Sequence, residues 1–315
     1  MKTFEASNID ELFASAVQAT LDGRETSPRG MKTREILDVG MTLTNPRARL
    51  LSATPGRRLN PAFAAAEAVW VLSGSDDPWI YTYNQRLKHY TDNGVLLGAY
   101  GPRMRSWHGE VDQLRRVVEI LKSDPDSRRA TIQLYDPAKD AGGHKDVPCT
   151  LNMRFLVRDG ALHMFTSMRG QDVWIGLPYD LHLYTVIHEL VAGWLKVALG
   201  HLHHHVASLH LYEEHLEQAA ALDAPGKSET MPGLRTPWSG FDDLLGDVRE
   251  GVLTGHSGWD AIGQTMTSYR MWRSGERGQA RSLAAAIDGP MGRALQGWYD
   301  QLDRSKDLAT VRGER

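Results

Sequence analysis

The chain lacks most of the features by which proteins are quickly sorted. Its 315 residues contain a single cysteine, Cys149, which excludes an internal disulfide and every structural zinc site that needs two or more thiolates. An excess of either charge is also missing. Lys and Arg number 36 against 39 Asp and Glu, so a net charge of -3 exerts no general pull toward nucleic acid or anionic membrane. No apolar run approaches the roughly 18 residues of a membrane span, since LHLYTVIHELVAGWLKVALG is interrupted by His188, Glu189 and Lys196. The stretch MKTFEASNIDELFASAVQATLDG has none of the basic-then-apolar layout of a signal peptide, so a cytoplasmic location is expected. Repeats and low-complexity tracts are absent. What is present, 41% hydrophobic and 24% charged residues, is ordinary for a soluble protein with a substantial core.

Residues 8 to 22 read as an amphipathic helix, followed by the polar DGRETSPRGMKTRE and the strand-like ILDVGMTLT. LNPAFAAAEAVWVLSG predicts a capped helix with Asn60 as N-cap, Pro61 in the first turn and Gly74 past the end. EVDQLRRVVEILKS predicts another, closed by DPDS. ATIQLYD, LNMRFLVRDG and ALHMFTS read as strands, with RDG as a hairpin signal. A long buried helix is expected from 181 to about 198, then a histidine-rich strand, then a helix opening at EEHLEQAAAL. Beyond residue 225 the pattern is mostly helical and more polar. The class is α+β, a mostly antiparallel sheet with helices against it, and no linker demands more than one domain over 1–315.

Several residues could carry chemistry. Glu67 has Phe63, Ala64, Trp70 and Val71 as helical neighbours, so its carboxylate lies on a core-facing stripe. Such burial raises a carboxyl pKa and suits a general acid or base, although a structural ion pair is the alternative. Cys149, after Pro148 at the head of a strand, is either an inert small hydrophobe or a nucleophile. Arg128, Arg129 and Arg169 on flanking segments favour the second, because cations lower a thiol's pKa and also grip phosphate. Asp180 precedes an apolar helical run, a standard N-cap position. GHLHHHVASLHLYEEH holds six of the 13 histidines, with His201, His203 and His205 on one face of a strand. That spacing could surround a metal, but no Asp, Glu or Cys interleaves, and Ala192 stands where an HExxH helix needs its second histidine. Stacked or polar histidines are the plainer reading.

In order, AEAVWVLSG, YGPRMRSW, DPDSRRATIQLYDP, VPCTLNMRFLVRDGALHM, SMRGQDVWIGLPYDLHLY and LHLYEEH resemble the thymidylate synthase family and its pyrimidine hydroxymethylase branch, over residues 29–220. The resemblance implies a thymidylate synthase-like fold with a divergent helical region over 225–315. It further implies a homodimer that binds a pyrimidine nucleoside monophosphate and takes a one-carbon unit from 5,10-methylenetetrahydrofolate, without a metal. Carried over, Cys149 is the nucleophile and Glu67 the buried acid or base. Arg169 grips the phosphate, Arg128 and Arg129 reach in from the partner subunit, and Arg29 is a further candidate. Asp172, His210 and Tyr212 complete the substrate site, the last two at the sugar hydroxyl.

Departures from the synthase pattern separate two outcomes, water addition to give hydroxymethyl or hydride addition to give methyl. Synthases acting on uracil carry Asn at the position of Asp180, whereas a carboxyl group can accept from the N4 amino group of cytosine and bond a protonated N3. The segment YNQRLKHYTDNG lacks the tryptophans that synthases place before their NG, and LDRSKDLATVRGER has no counterpart of the synthase closing arm. Gly170 replaces a phosphate-binding Ser. The expectation is therefore a CMP or dCMP 5-hydroxymethyltransferase, with thymidylate synthase as the alternative. A family member that binds nucleotide or RNA without turnover, or a metal hydrolase, fits less of this pattern.

Overall fold

The computed structural model describes the backbone of residues 1–313 and the side chains of residues 1–304. Strands β1 (Lys2–Ala6), β2 (Arg24–Thr26), β3 (Thr33–Leu43), β4 (Thr131–Gln133), β5 (Thr150–Arg158), β6 (Ala161–Met168), β7 (Gln171–Asp172) and β8 (Ala198–Tyr212) join in one sheet. Its path is β1-β3-β8-β6-β5-β4, with β2 paired to β3 and β7 to β8. The β2–β3, β3–β8, β4–β5 and β5–β6 pairs are antiparallel. The β1–β3, β6–β8 and β7–β8 pairs are parallel. Antiparallel pairing thus predominates, as the hairpin signal implied. Asp159 (φ 50°) and Gly160 (φ 74°) turn β5 into β6 through the left-handed region that such a two-residue turn requires.

The helices are α1 (Ile9–Leu21), α2 (Pro61–Leu72), α3 (Tyr100–Arg105), α4 (Gln113–Ser123), α5 (Pro137–Asp140) and α6 (Gly176–Leu195), then α7 (Leu216–Ala220), α8 (Phe241–Glu250), α9 (Ser257–Ser274), α10 (Arg277–Ala286) and α11 (Pro290–Gly313). Asn60 caps α2 as expected, its side-chain oxygen accepting from the N–H groups of Ala62 at 3.1 Å and Phe63 at 3.3 Å. The helix α6 crosses between the parallel strands β6 and β8, a connection too long for a hairpin. It forms no membrane span, since no helix among the described residues is long and apolar enough for one. The C-terminal helices α8, α9 and α11 pack on α2, with Trp259 fully buried and Trp272 stacked on Tyr299 at 4.1 Å.

Two boundaries differ from the sequence expectation. The helix α6 begins at Gly176, so Asp180 lies inside it and does not cap it. Pro178 is tolerated in a first turn, where its missing N–H has no helical partner, and the helix therefore starts upstream of the apolar run. Asp172 leads into it instead, with Oδ1 accepting from the N–H groups of Trp174 at 2.8 Å and Ile175 at 3.1 Å. The polar stretch after α1 is not all loop, because Arg24–Thr26 pairs with Thr33–Glu35 of β3. The segment LDRSKDLATVRGER lies mostly outside the described side chains.

Along β8 the buried positions are Leu202, His204 and Val206, then Leu209 and Leu211. The alternation changes phase at Ala207–Ser208, opposite Asp38, whose φ of 57° is left-handed. The phase change leaves His210 and Tyr212 as partly accessible positions beside β7.

Candidate active site

Separate chain segments bring the expected residues within electrostatic reach of one another. Cys149 stands immediately before β5, where its carbonyl accepts from the N–H of Arg169 at 2.9 Å, so the cysteine and the arginine are joined across the β5–β6 edge. The Arg169 guanidinium is held by the carbonyls of Pro148 at 3.0 Å and Val147 at 2.9 Å. Arg169 and Arg29 are the cations that favour the Cys149 thiolate. They do not win. Burial pushes the thiol up from its ordinary value, and the nearby charges of Asp180 and Asp146 push the same way. The expectation that arginines depress this thiol is thus corrected, since desolvation outweighs partly solvated cations.

Glu67 enters from α2. It is the one residue of that helix that keeps access to solvent, the other eleven being buried. Its carboxyl is raised to about 8 by burial and by the charge of Asp180. No cation pairs with it among the described residues, so the structural ion pair that the sequence left open is not formed. Asp180 enters from α6 and is raised to about 6, again by burial, while hydrogen bonds from Gln171 and Tyr184 act in the opposite sense. Two neighbouring carboxyl groups thus titrate near neutral pH, as acid–base chemistry requires.

Asp172 of β7, whose charge acts on Asp180, pairs in register with His210 of β8. Burial raises the Asp172 carboxyl and lowers the His210 imidazole, and each favours the charge of the other. Tyr212 lies two residues on, its ring edge-on to His210 at 5.2 Å, and Arg29 acts on it as well as on Cys149. Arg29 sits in an exposed 3-10 turn at φ 53°, and its charge reaches both Cys149 and Tyr212, which brings this further candidate beside them. Arg128 and Arg129 are different. They are exposed just before β4, and their side chains engage no partner among the described residues.

Sequence reasoning missed several participants. The hydroxyls of Tyr100 and Tyr184 both bond Thr150 Oγ1, at 2.9 and 2.6 Å, directly after the cysteine. Tyr100 lies in the YGPRMRSW motif and could have been singled out; Thr150 carried no signal. Asp146, raised to about 6 by burial, closes the cysteine side. Gln171 donates to Asp180 Oδ2 at 2.8 Å. Of the histidines, His205 turns to Asp38 at 3.0 Å, and His163 of β6 joins His201 and His203 instead. One ligand-type atom from each of these three lies within 4.8 Å of the others, and His203 stacks on Phe165 at 4.5 Å. None of the three is among the groups acting on Cys149, Glu67 or Asp180.

Residues 13–237 match the thymidylate synthase family. The chain belongs to that family. Within it, the chain is similar to the deoxyuridylate hydroxymethyltransferase of Bacillus phage SP01, 34% identical over 227 residues that cover 67% of this chain and 59% of the phage protein. It is also similar to the deoxyuridylate hydroxymethyltransferase of Pseudomonas phage M6, 31% identical over 244 residues covering 75% of this chain and 69% of that protein. The chain therefore spans about three-fifths of the SP01 relative. The thymidylate synthase match covers β5 to β8 and α2, the elements that carry Cys149, Glu67, Asp180 and His210, and stops before α8.

Proposed function

We propose that this chain is a cytidylate 5-hydroxymethyltransferase, moving the one-carbon unit of 5,10-methylenetetrahydrofolate to C5 of CMP or dCMP with addition of water. The observation that carries the reading is the meeting of Cys149, Glu67 and Asp180, the charge of Asp180 acting on both of the others, with its carboxyl group as the one that would meet the base edge. Hydroxymethyl chemistry is supported by the names of the two phage relatives.

The residues divide the work as follows. As the Cys149 sulfur bonds to C6, the thiol proton passes to the Asp180 carboxylate and C5 becomes a carbon nucleophile. Arg169 and Arg29 hold the phosphate, and the unpartnered, exposed Arg128 and Arg129 complete the phosphate site of a partner subunit in a homodimer. His210 and Tyr212 bind the sugar hydroxyl, with Asp172 setting the imidazole. Asp180 accepts from the N4 amino group and gives a proton to N3 as negative charge builds in the ring. Methylenetetrahydrofolate supplies the one-carbon unit. Glu67, protonated at neutral pH, exchanges protons with the base and orients the water that ends on the exocyclic carbon. Loss of the C5 proton and departure of tetrahydrofolate open the exocyclic carbon to that water, and elimination of the Cys149 sulfur from C6 then restores the ring. Substrates of this kind place the protein in the cytoplasm.

A second reading, hydroxymethylation of dUMP, is favoured by the relatives' names. One assay decides between them. Purified protein is given methylenetetrahydrofolate with CMP, dCMP, UMP or dUMP, and products are weighed by mass spectrometry. A gain of CH2O on a cytidylate is expected. The same gain on dUMP alone would replace the base assignment, and methylation of dUMP with stoichiometric dihydrofolate would make the protein a thymidylate synthase. No product from any nucleotide would end the reading.

A further inference from the structure

Behind Asp180 the sheet supplies a buried line of polar side chains that the reaction as described does not use. Thr166 Oγ1 lies 2.6 Å from His204 Nδ1, His204 Nε2 lies 3.3 Å from Gln171 Oε1, and Gln171 Nε2 lies 2.8 Å from Asp180 Oδ2. Thr166, His204 and Gln171 are all at most 2% exposed. The atoms fix the direction of each bond. An amide oxygen only accepts, so His204 carries its proton on Nε2 and its Nδ1 accepts from the Thr166 hydroxyl. Burial keeps this imidazole far below its ordinary pKa, so it is neutral and has one N–H to give. Every donor therefore points toward Asp180.

Space at the bond is set by Gly176, in the first turn of α6. A Cβ there would stand 2.8 Å from Gln171 Nε2 and 3.5 Å from Asp180 Oδ2. The amide passes through the volume that any other residue would fill.

We propose that Gln171, oriented by His204 and Thr166, is the positioning residue for base selection: its N–H occupies Asp180 Oδ2, so that a proton taken up by this carboxylate during the reaction resides on Oδ1. This deepens the function proposed above and rests on it for the identity of the base. A carboxyl group with one oxygen committed as acceptor and the other carrying the proton has the donor–acceptor order that an aminopyrimidine edge needs. The proton passes from Oδ1 to N3 when the Cys149–C6 bond forms, leaving a carboxylate and an N3–H. The order suits cytosine, with an acceptor at N3 and a donor at N4. It mismatches uracil, whose N3–H would meet the Oδ1 proton. Asp180 is also faced by Glu67 from α2, Asp172 from β7, Tyr100 from α3, Tyr184 from its own helix and Cys149, so its titration reports on all of them. Among the described residues, only Gln171 and Tyr184 bond it directly.

The test compares wild type with Gln171→Met, which keeps the side-chain volume and removes the donor, and with Gly176→Ala, which keeps the donor and displaces it. Two readouts are taken. The first is the ratio of kcat/KM for dCMP to that for dUMP, with the folate KM as the internal control. We expect the ratio to fall at least tenfold in both variants while the folate KM stays within twofold; an unchanged ratio overturns the proposal. The second needs no turnover. In protein carrying 13C-labelled Asp carboxyl groups, the NMR titration midpoint of Asp180 is expected to rise in Gln171→Met, because a hydrogen bond that favours the anion is gone. A midpoint that stays put overturns the relay whatever the enzyme's substrate. If wild type converts no nucleotide, the proposed function fails, and the NMR arm decides the relay separately. Wild type that prefers dUMP overturns the base-selection claim.

Discussion

Asp180 holds a proton on Glu67. The two carboxyl groups come from different helices, α6 and α2, and the charge on Asp180 is one of the two causes that raise Glu67 to about 8. Because Asp180 itself titrates near 6, at pH 7 the pair is one carboxylate and one carboxylic acid. An acid and a base are thus prepared side by side from identical chemistry, by burial and mutual repulsion.

Removing the nucleophile should abolish the reaction. Cys149→Ser is expected to lower turnover by about 10⁴-fold or more, in line with loss of a residue on which a covalent route depends. Release of tritium from C5 of labelled nucleotide measures this directly. A variant with full exchange would mean that no C6 adduct forms at this sulfur.

Glu67→Gln should lower kcat by about 10²- to 10⁴-fold, the range for a positioned proton donor. The pH profile carries more information. Wild type should lose activity as pH rises through about 8, where Glu67 gives up its proton, and the variant's residual activity should lack that limb. A decline above pH 8 that persists in Glu67→Gln would assign it to another group.

Stability should respond to the same substitution in the opposite sense. Glu67 has a folded pKa near 8 against 4.5 for the free side chain, so the folded state binds the extra proton between those values. Stability from this group is therefore greatest at acid pH and declines as pH rises from about 4.5 to 8. Glu67→Gln should be the more stable protein at pH 8, by on the order of a few kcal/mol, while losing activity. Urea unfolding at pH 5 and pH 8 reads both; equal pH dependence in the two proteins would contradict the shift.

Arg49→Met should destabilise the fold without touching the cleft. Arg49 and Glu189 are 1% and 2% exposed and paired at 2.7 Å, so the substitution strands a buried carboxylate. A loss of about 3 to 5 kcal/mol is expected from urea unfolding. Arg47, at 3.8 Å and partly exposed, is the remaining cation that could soften the loss.

Much of this was legible beforehand, for definable reasons. The Asn60 cap, the RDG turn and the alternation of β6 and β8 are local properties, so spacing alone predicts them. The start of α6 was misplaced because the apolar run, which begins at Leu181, marks the buried face and not the first turn. Cys149, Glu67, Asp180, Arg169 and His210 were recognisable because their motifs occur in order. Gln171 and His204 were not, since they lie 33 residues apart and meet only where β7 lies beside β8.

What the amino-acid order alone determined is the inventory: which elements form, and that one thiol, several acidic groups and a set of arginines are available. Whether those groups are charged was decided by the tertiary structure. Ionisation depends on how much water remains around a group and which charges stand within a few ångströms, and neither is a property of neighbours in sequence. Thus the thiol that arginine-rich flanks would have activated is held protonated, and a helix that is otherwise all core presents one acid to a cleft.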